Sequence, residues 1–291
     1  MPMPKGGSMK DGIIIVNKPA GKTSHQIVSQ ARKTLNIKKV GHGGTLDPMA
    51  EGVLVILVGR GTKLSELLLC QDKQYIAEMT FGIQTDTLDT SGSILRRSEV
   101  HLTPDLIENA LARFRGTIEQ VPPMYSAVKQ DGKKLYELAR QGISVERKKR
   151  MVTIHELTLL ETAGSKAVIS VTCSKGTYIR TLIDDIGRDL GCYAAMSALT
   201  RTKSGRFCIN DAVSPENITE DSIIPVNDIF EDIPIVTVVG NTEKRVRNGN
   251  PIKTDLKDFF LIKVFAKDEL ICLAESHDGI LQPKIMLSEG K

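Results

Sequence analysis

The stretch Gly41-His42-Gly43-Gly44-Thr45-Leu46-Asp47-Pro48-Met49-Ala50-Glu51-Gly52-Val53-Leu54-Val55-Ile56-Leu57-Val58 decides how the chain is read. Its last six residues form an unbroken apolar run, which reads as a strand buried on both faces. Ahead of that run, three glycines within four residues precede an aspartate and a proline. Glycine lets a backbone approach a neighbour or a ligand closely. Proline confines the residue before it to extended conformations, so the Asp47 carboxylate is held in one direction. Two readings fit: a fixed carboxylate at the edge of a cleft, or a tight turn closed by an Asx-type hydrogen bond.

Working outward, Ile13 to Val16 reads as a strand stopped by Asn17-Lys18-Pro19, with Gly21 as a turn residue. Ser24 resembles an N-cap, because Ile27, Val28, Ala31 and Leu35 follow at helical spacing. Lys63 to Leu69 reads as a short helix and the alternating Tyr75 to Phe81 as a strand. Pro104 to Arg115 has a helix-start proline and one apolar face. Lys133 to Arg140 reads as another short helix. Met151 to Leu160 and Lys166 to Cys173 form a strand pair around Ala163-Gly164. Thr177 to Leu190 is the best helix, with Ile179, Leu182, Ile183, Ile186 and Leu190 on one side and Gly191 ending it. This pattern predicts an α+β fold with a mixed or antiparallel sheet flanked by helices. From Glu216 to Asp232 there are six acids and no bases, which reads as a connection. Residues 233–291 show short β-like runs without helical periodicity, which predicts a small β-barrel-like appendage. Residues 1–10 are expected to be a disordered start or a cloning remnant.

Hydrophobic residues make up 41% of the chain and charged residues 25%, which excludes a disordered chain or a coiled-coil rod. No apolar run approaches a membrane span of roughly 18 residues. The five cysteines (Cys70, Cys173, Cys192, Cys208 and Cys272) are odd in number and widely spaced. They read as buried reduced thiols in a cytoplasmic protein, without a disulfide framework or zinc site. From Lys129 to Arg150 eight bases face three acids, and from Met1 to Cys70 ten face four. These are two basic regions that a polyanion could meet, or else solvated faces. Three tempting motifs fail. Gly21-Lys22-Thr23 lacks the earlier P-loop glycine, since Val16 stands there. Gly41-His42-Gly43 would need a glycine at Leu46 to bind a dinucleotide. His155-Glu156 would need a second histidine at Leu159 to bind zinc.

The loop Gly41 to Leu54 resembles the signature of bacterial tRNA pseudouridine synthases that modify the T-loop uridine. The resemblance extends to Asn17-Lys18-Pro19-Ala20-Gly21-Lys22-Thr23-Ser24, to Lys73-Gln74-Tyr75 with Phe81 through Asp89, to Gln120 through Lys129, and to Cys173 through Arg180. These ordered motifs cover most of residues 11–210. The tail after Asp232 resembles a PUA-type RNA-binding domain more faintly. The resemblance implies a catalytic domain over 11–215 with a basic RNA-clamping insertion at about 124–150, an acidic connection over 216–232 and a PUA-like unit over 233–291.

It further implies isomerisation of uridine to pseudouridine at position 55 (tRNA numbering) of the T-arm, on a base turned out of the RNA stack. Asp47 matches the nucleophile, which has to be ionised and dry. Arg180 matches the arginine that pairs with it; a guanidinium can bind a carboxylate through two hydrogen bonds. Tyr75 matches the residue that stacks on the uracil, and its hydroxyl is expected to help remove the C5 proton as a weak general base. Five tyrosines and no tryptophan leave few residues able to stack on a base. Tyr178 and Leu199 match pocket walls. His42 matches a plug filling the space that the nucleotides vacate, Lys18 with Pro19 a support of the loop, and Lys63 a phosphate contact. The reaction involves no redox change, so no nicotinamide, flavin, nucleotide cofactor or metal is implied, and nothing demands more than a monomer. Two alternatives stay open: a non-catalytic tRNA-binding or folding module, and a nucleoside hydrolase. The latter would use a second carboxylate, for which Asp86 and Asp89 are the nearby suspects.

Overall fold

The structure is a computed structural model that describes residues 11–126, 128–130, 132–139, 141–143 and 145–288. Residues 1–10, read above as a disordered start, lie outside the described residues. The chain begins with β1 (Gly12–Lys18), α1 (Ser24–Leu35), β2 (Val40–His42), β3 (Glu51–Val58), α2 (Ser65–Leu69), β4 (Lys73–Phe81), β5 (Ile83–Thr85) and β6 (Ile94–Arg97). Next come α3 (Pro104–Arg113), β7 (Gly116–Gln120), β8 (Lys129–Gln130), β9 (Lys133–Lys134) and α4 (Leu135–Ala139). The hairpin of β10 (Arg150–Ala163) and β11 (Lys166–Cys173) leads to α5 (Ile179–Asp189), β12 (Ala194–Ser204), β13 (Phe207–Cys208) and β14 (Ile224–Pro225). The C-terminal unit contains β15 (Ile235–Thr237), α6 (Gly240–Arg247), β16 (Ile252–Lys253), β17 (Phe259–Ala266), β18 (Glu269–His277) and β19 (Ile280–Met286).

A ten-stranded mixed sheet runs β14-β1-β3-β12-β4-β11-β10-β7, with β2 beside β3 and β13 beside β12. Only the β12–β3 pairing is parallel among the described strands of this sheet. The apolar run in β3 is covered on both sides, as its composition predicts. Leu54, Ile56 and Val58 join Ile14 and Val16 under α1 and α5, packing with Ile27, Val28, Leu182 and Ile183. Val53, Val55 and Leu57 join Ile13 and Ile15 on the opposite face, against Leu270, Leu273 and Leu287 of the C-terminal unit. Full burial of such a side chain stabilises by about 1.5–3 kcal/mol, so β3 is the seam between two cores.

Several boundaries differ from the sequence reading. The cap of α1 is Thr23, whose side chain accepts from the Gln26 N–H at 3.1 Å while Gln26 accepts from the Thr23 N–H at 2.7 Å. This reciprocal box frees Ser24 for another task. α5 starts at Ile179, with Tyr178 extended at the cap rather than helical. Cys173, Cys192 and Cys272 are buried, but Cys70 is exposed and Cys208 half-buried, so the expectation of uniformly buried thiols is corrected. β12, which no pattern singled out, lies near the centre of the sheet. The C-terminal unit is a curled five-stranded sheet in the order β15-β17-β18-β19-β16. It contains α6, contrary to the expected lack of helix. Val246 is the only buried residue of α6, so no apolar stripe betrays it. Within the basic insertion, Ala127, Asp131, Arg140 and Ser144 fall outside the described residues.

Gly52 fixes how β3 meets β12. Its φ is +100°, and an added Cβ would sit 2.3 Å from the Arg201 carbonyl oxygen. Gly52→Ala should therefore cost more than the roughly 1 kcal/mol at which compatible glycine positions change stability. Gly116→Ala, at φ +88° with nothing within 4 Å of the added carbon, should cost less. Urea unfolding midpoints of the two variants check the ranking.

Candidate active site

The nucleophile-loop candidate is held by its neighbours from three directions. Ser24 clamps Leu46: its hydroxyl donates to the Leu46 carbonyl at 3.0 Å and accepts from the Leu46 N–H at 2.8 Å. Gly21 N–H donates to the Pro48 carbonyl at 2.8 Å. Lys18, fully buried on β1, sends its ammonium to the carbonyls of Pro19 (2.9 Å), Lys22 (2.7 Å) and Pro48 (3.3 Å). These bonds use its donors to tie the loop to the opening strand, as expected of a support. Burial pushes its pKa down to about 8.

Arg180, on the first turn of α5, is buried and reaches Asp47 with one nitrogen: Nε lies 2.8 Å from Oδ2. Its other two nitrogens donate to backbone, Nη1 to the Thr87 carbonyl at 2.9 Å and Nη2 to the Tyr125 carbonyl at 2.8 Å. Asp89 stands behind, with Oδ2 3.8 Å from Nη1. The pairing is thus one-handed, where the sequence reading allowed a two-bond fork. The Asp47 side chain is 35% exposed, so the carboxylate is not dry in the free protein.

Asp47 opens into a cavity of about 380 Å³ whose walls include Tyr75, Tyr178, Leu199, Arg180 and Arg201. Asp47, Tyr75, the pair Tyr178 and Arg180, and Leu199, which come from four separate segments of the chain, therefore meet at one cavity. Burial raises the Tyr75 pKa above its ordinary value of 10, which disfavours a resting phenolate. Gln120, fully buried, holds Tyr178 in place by accepting from its N–H at 3.0 Å and donating to its carbonyl at 3.2 Å. His42 sits beside the loop but does not line the cavity. Its Nδ1 accepts from the Gly44 N–H at 3.3 Å, and burial lowers its pKa. Lys63 lies elsewhere, with Nζ donating to the Ser288 carbonyl at 3.3 Å. Neither Asp86 nor Asp89 is among the cavity walls. Asp89 is occupied by Thr87 and Ser91 hydroxyls, and Asp86 accepts from the Ser93 N–H.

The N-terminal model described as TruB family pseudouridylate synthase matches residues 32–179, and the tRNA pseudouridylate synthase B C-terminal domain matches 180–233. A tRNA pseudouridine synthase B of Alkaliphilus oremlandii is 49% identical over 247 residues, 83% of each chain. One from Aromatoleum aromaticum is 42% identical over 286 residues, 96% of this chain and 93% of the relative. This chain belongs to the TruB family of pseudouridylate synthases. A chain in the crystal structure of a Cbf5-Nop10-Gar1 complex shares the fold, with a TM-score of 0.72 at 26% identity over 96% of this chain and 86% of that one. As a TruB-family enzyme the protein is a uridine-isomerising, RNA-binding isomerase of the tRNA-modifying class. Among the described residues no helix is long and apolar enough to cross a membrane.

The boundary between the two TruB family models falls between Ile179 and Arg180, inside α5 and between Asp47 and its partner. It is a division of sequence and not of structure. Sequence reading of this TruB-family chain missed two buried cations at the cavity. Arg201, on β12, donates from Nε to the Val53 carbonyl (2.7 Å), from Nη2 to Gly44 (3.1 Å) and from Nη1 to Thr45 (3.4 Å). Lys73, on β4, donates to the carbonyls of Leu68, Leu69 and Gln71, and burial lowers its pKa to about 8. A lone base in a strand reads as a surface residue, so only the quoted Lys73-Gln74-Tyr75 motif could have drawn attention to either. Lys18→Met should strand three carbonyls and destabilise the enzyme by about 1–3 kcal/mol. A urea midpoint equal to that of the wild type would contradict the support role.

Proposed function

We propose that this enzyme converts uridine 55 of the tRNA T-arm to pseudouridine, with Asp47 as nucleophile acting on a base turned out of the RNA. The observation that carries the reading is the Asp47–Arg180 contact at 2.8 Å on the wall of a cavity that also presents Tyr75, Tyr178 and Leu199. The motifs that resemble the T-loop-modifying enzymes, and relatives named tRNA pseudouridine synthase B, support the substrate.

The C1′–N1 bond breaks and a C1′–C5 bond forms; the proton leaves C5 and N1 ends protonated. Arg180, permanently charged, orients the carboxylate. Asp47 is part-exposed in the free protein, so the entering nucleoside itself supplies the dryness, and covering the pair strengthens its electrostatics. Tyr75 offers a flat face for stacking. Its raised pKa favours a neutral hydroxyl that hands protons on over a resting base. His42, neutral and outside the cavity, suits a plug better than an acid or base. The Arg150 guanidinium lies 5.7 Å over the Tyr178 ring, which brings the end of the basic insertion to the cavity and supports its role as an RNA clamp. The proposed chemistry asks for no second subunit, and we read the enzyme as a monomer. The C-terminal unit, with Lys244, Arg245 and Arg247 on α6, is read as a further RNA-binding surface.

Unmodified tRNA tritiated at C5 of uracil tests the proposal. The wild type should release tritium, and Asp47→Asn should release none while still binding tRNA. Free uracil as product would identify a nucleoside hydrolase, and binding without release by the wild type a binding module. Arg180→Met should lower turnover far more than tRNA affinity. Tyr75→Phe should slow the reaction on the order of 10²-fold. The wild-type-to-variant ratio should be the same at pH 7 and pH 9, because a hydroxyl with a pKa above 10 is protonated at both. A ratio that climbs with pH would show that the phenolate is the active form.

A further inference from the structure

We infer that Arg201 is a positioning residue that sets the Asp47 loop against Tyr75, an inference that rests on the reaction proposed above. Arg201 stands directly across from Tyr75 on β4 and from Gly52 on β3. Residues opposite one another in antiparallel strands share a face, so the guanidinium and the phenol are neighbours. The side chain is 2% exposed. It bonds the carbonyls of Gly44 and Thr45, which precede Asp47, and that of Val53, which follows it. One rigid planar group therefore ties both ends of the nucleophile loop to the strand that faces Tyr75.

A residue serving only to fill space here would be apolar, because a buried cation is costly unless its donors are used. Each of the three nitrogens of Arg201 donates to the loop or to β3. The loop is shaped to receive them: Gly44 has φ +141°, and a Cβ there would lie 3.6 Å from Arg201 Nη1. Arg180 holds the carboxylate and Arg201 holds the backbone that carries it. A lysine replaces the fork only in part, since an ammonium is a compact point donor without the guanidinium's planar, pre-organised set of N–H groups.

The test is single-turnover tritium release, tRNA affinity and thermal midpoint for Arg201→Met and Arg201→Lys, with Leu111→Ala as a destabilised control. Leu111 is fully buried on α3, which carries none of the residues assigned to the reaction or to RNA. Displacing a reacting group by an ångström can cost about 100-fold in rate, and a loss of that order is expected for Arg201→Met with the tRNA Kd changed by less than about threefold. Arg201→Lys should recover the rate only in part. A folded Arg201→Met that reacts at the wild-type rate overturns the inference. So does a rate loss matched by Leu111→Ala at the same fall in midpoint, or a loss confined to affinity. If Arg201→Met does not fold, Arg201→Lys decides: slowed turnover at unchanged Kd supports the role, and wild-type turnover overturns it. Tritium release by Asp47→Asn would instead overturn the reaction itself.

Discussion

The contact between Asp47 and Arg180 governs the site because the arginine is already committed before the aspartate meets it. Two of its nitrogens are taken by the carbonyls of Thr87 and Tyr125, so the third points where those two segments dictate. The ion pair is thereby an alignment device for three parts of the chain: the glycine-rich loop, the turn around Thr87 and the segment around Tyr125. With Arg180 buried and Asp47 part-exposed, the pair adds little net stability. Its value lies in fixing geometry.

The site's other cations do comparable work on backbone. Lys18, Lys73 and Arg201 are all buried, and each donates to carbonyls. The irregular segments and element ends that shape the cavity leave carbonyls that the regular ladders do not satisfy. Long basic side chains reaching in from neighbouring strands complete the bonding, and they leave a concentration of positive charge where an RNA strand would enter.

Much of this was legible in the sequence. The glycines, Asp47 and Pro48 left two readings open, a fixed carboxylate or a tight turn, while the apolar run after them announced a strand covered twice. The one-sided spacing of Ile179, Leu182, Ile183 and Ile186 gave α5. Arg180 could be named only through resemblance to a family, because an arginine on an amphipathic helix has no local mark of burial. Arg201 was invisible for the same reason: it interrupts a strand with Ser197, Thr200 and Thr202 nearby, so β12 looked like surface. α6 escaped because one buried valine makes no periodicity. In each case the decisive contact is made by residues far away in the chain, which local pattern does not record.

The two-sided burial of β3 has a consequence in time. Its helix-facing side can be covered once α5 exists. The opposite side is covered in part by Leu64 and Leu68 just after β3, and its burial is completed only with Leu270, Leu273 and Leu287. During synthesis the sheet that bears the Asp47 loop therefore keeps part of an apolar flank bare until the C-terminal unit has been made and can fold against it. The C-terminal unit, whatever it contributes to grasping RNA, also serves as the lid that ends this exposed interval.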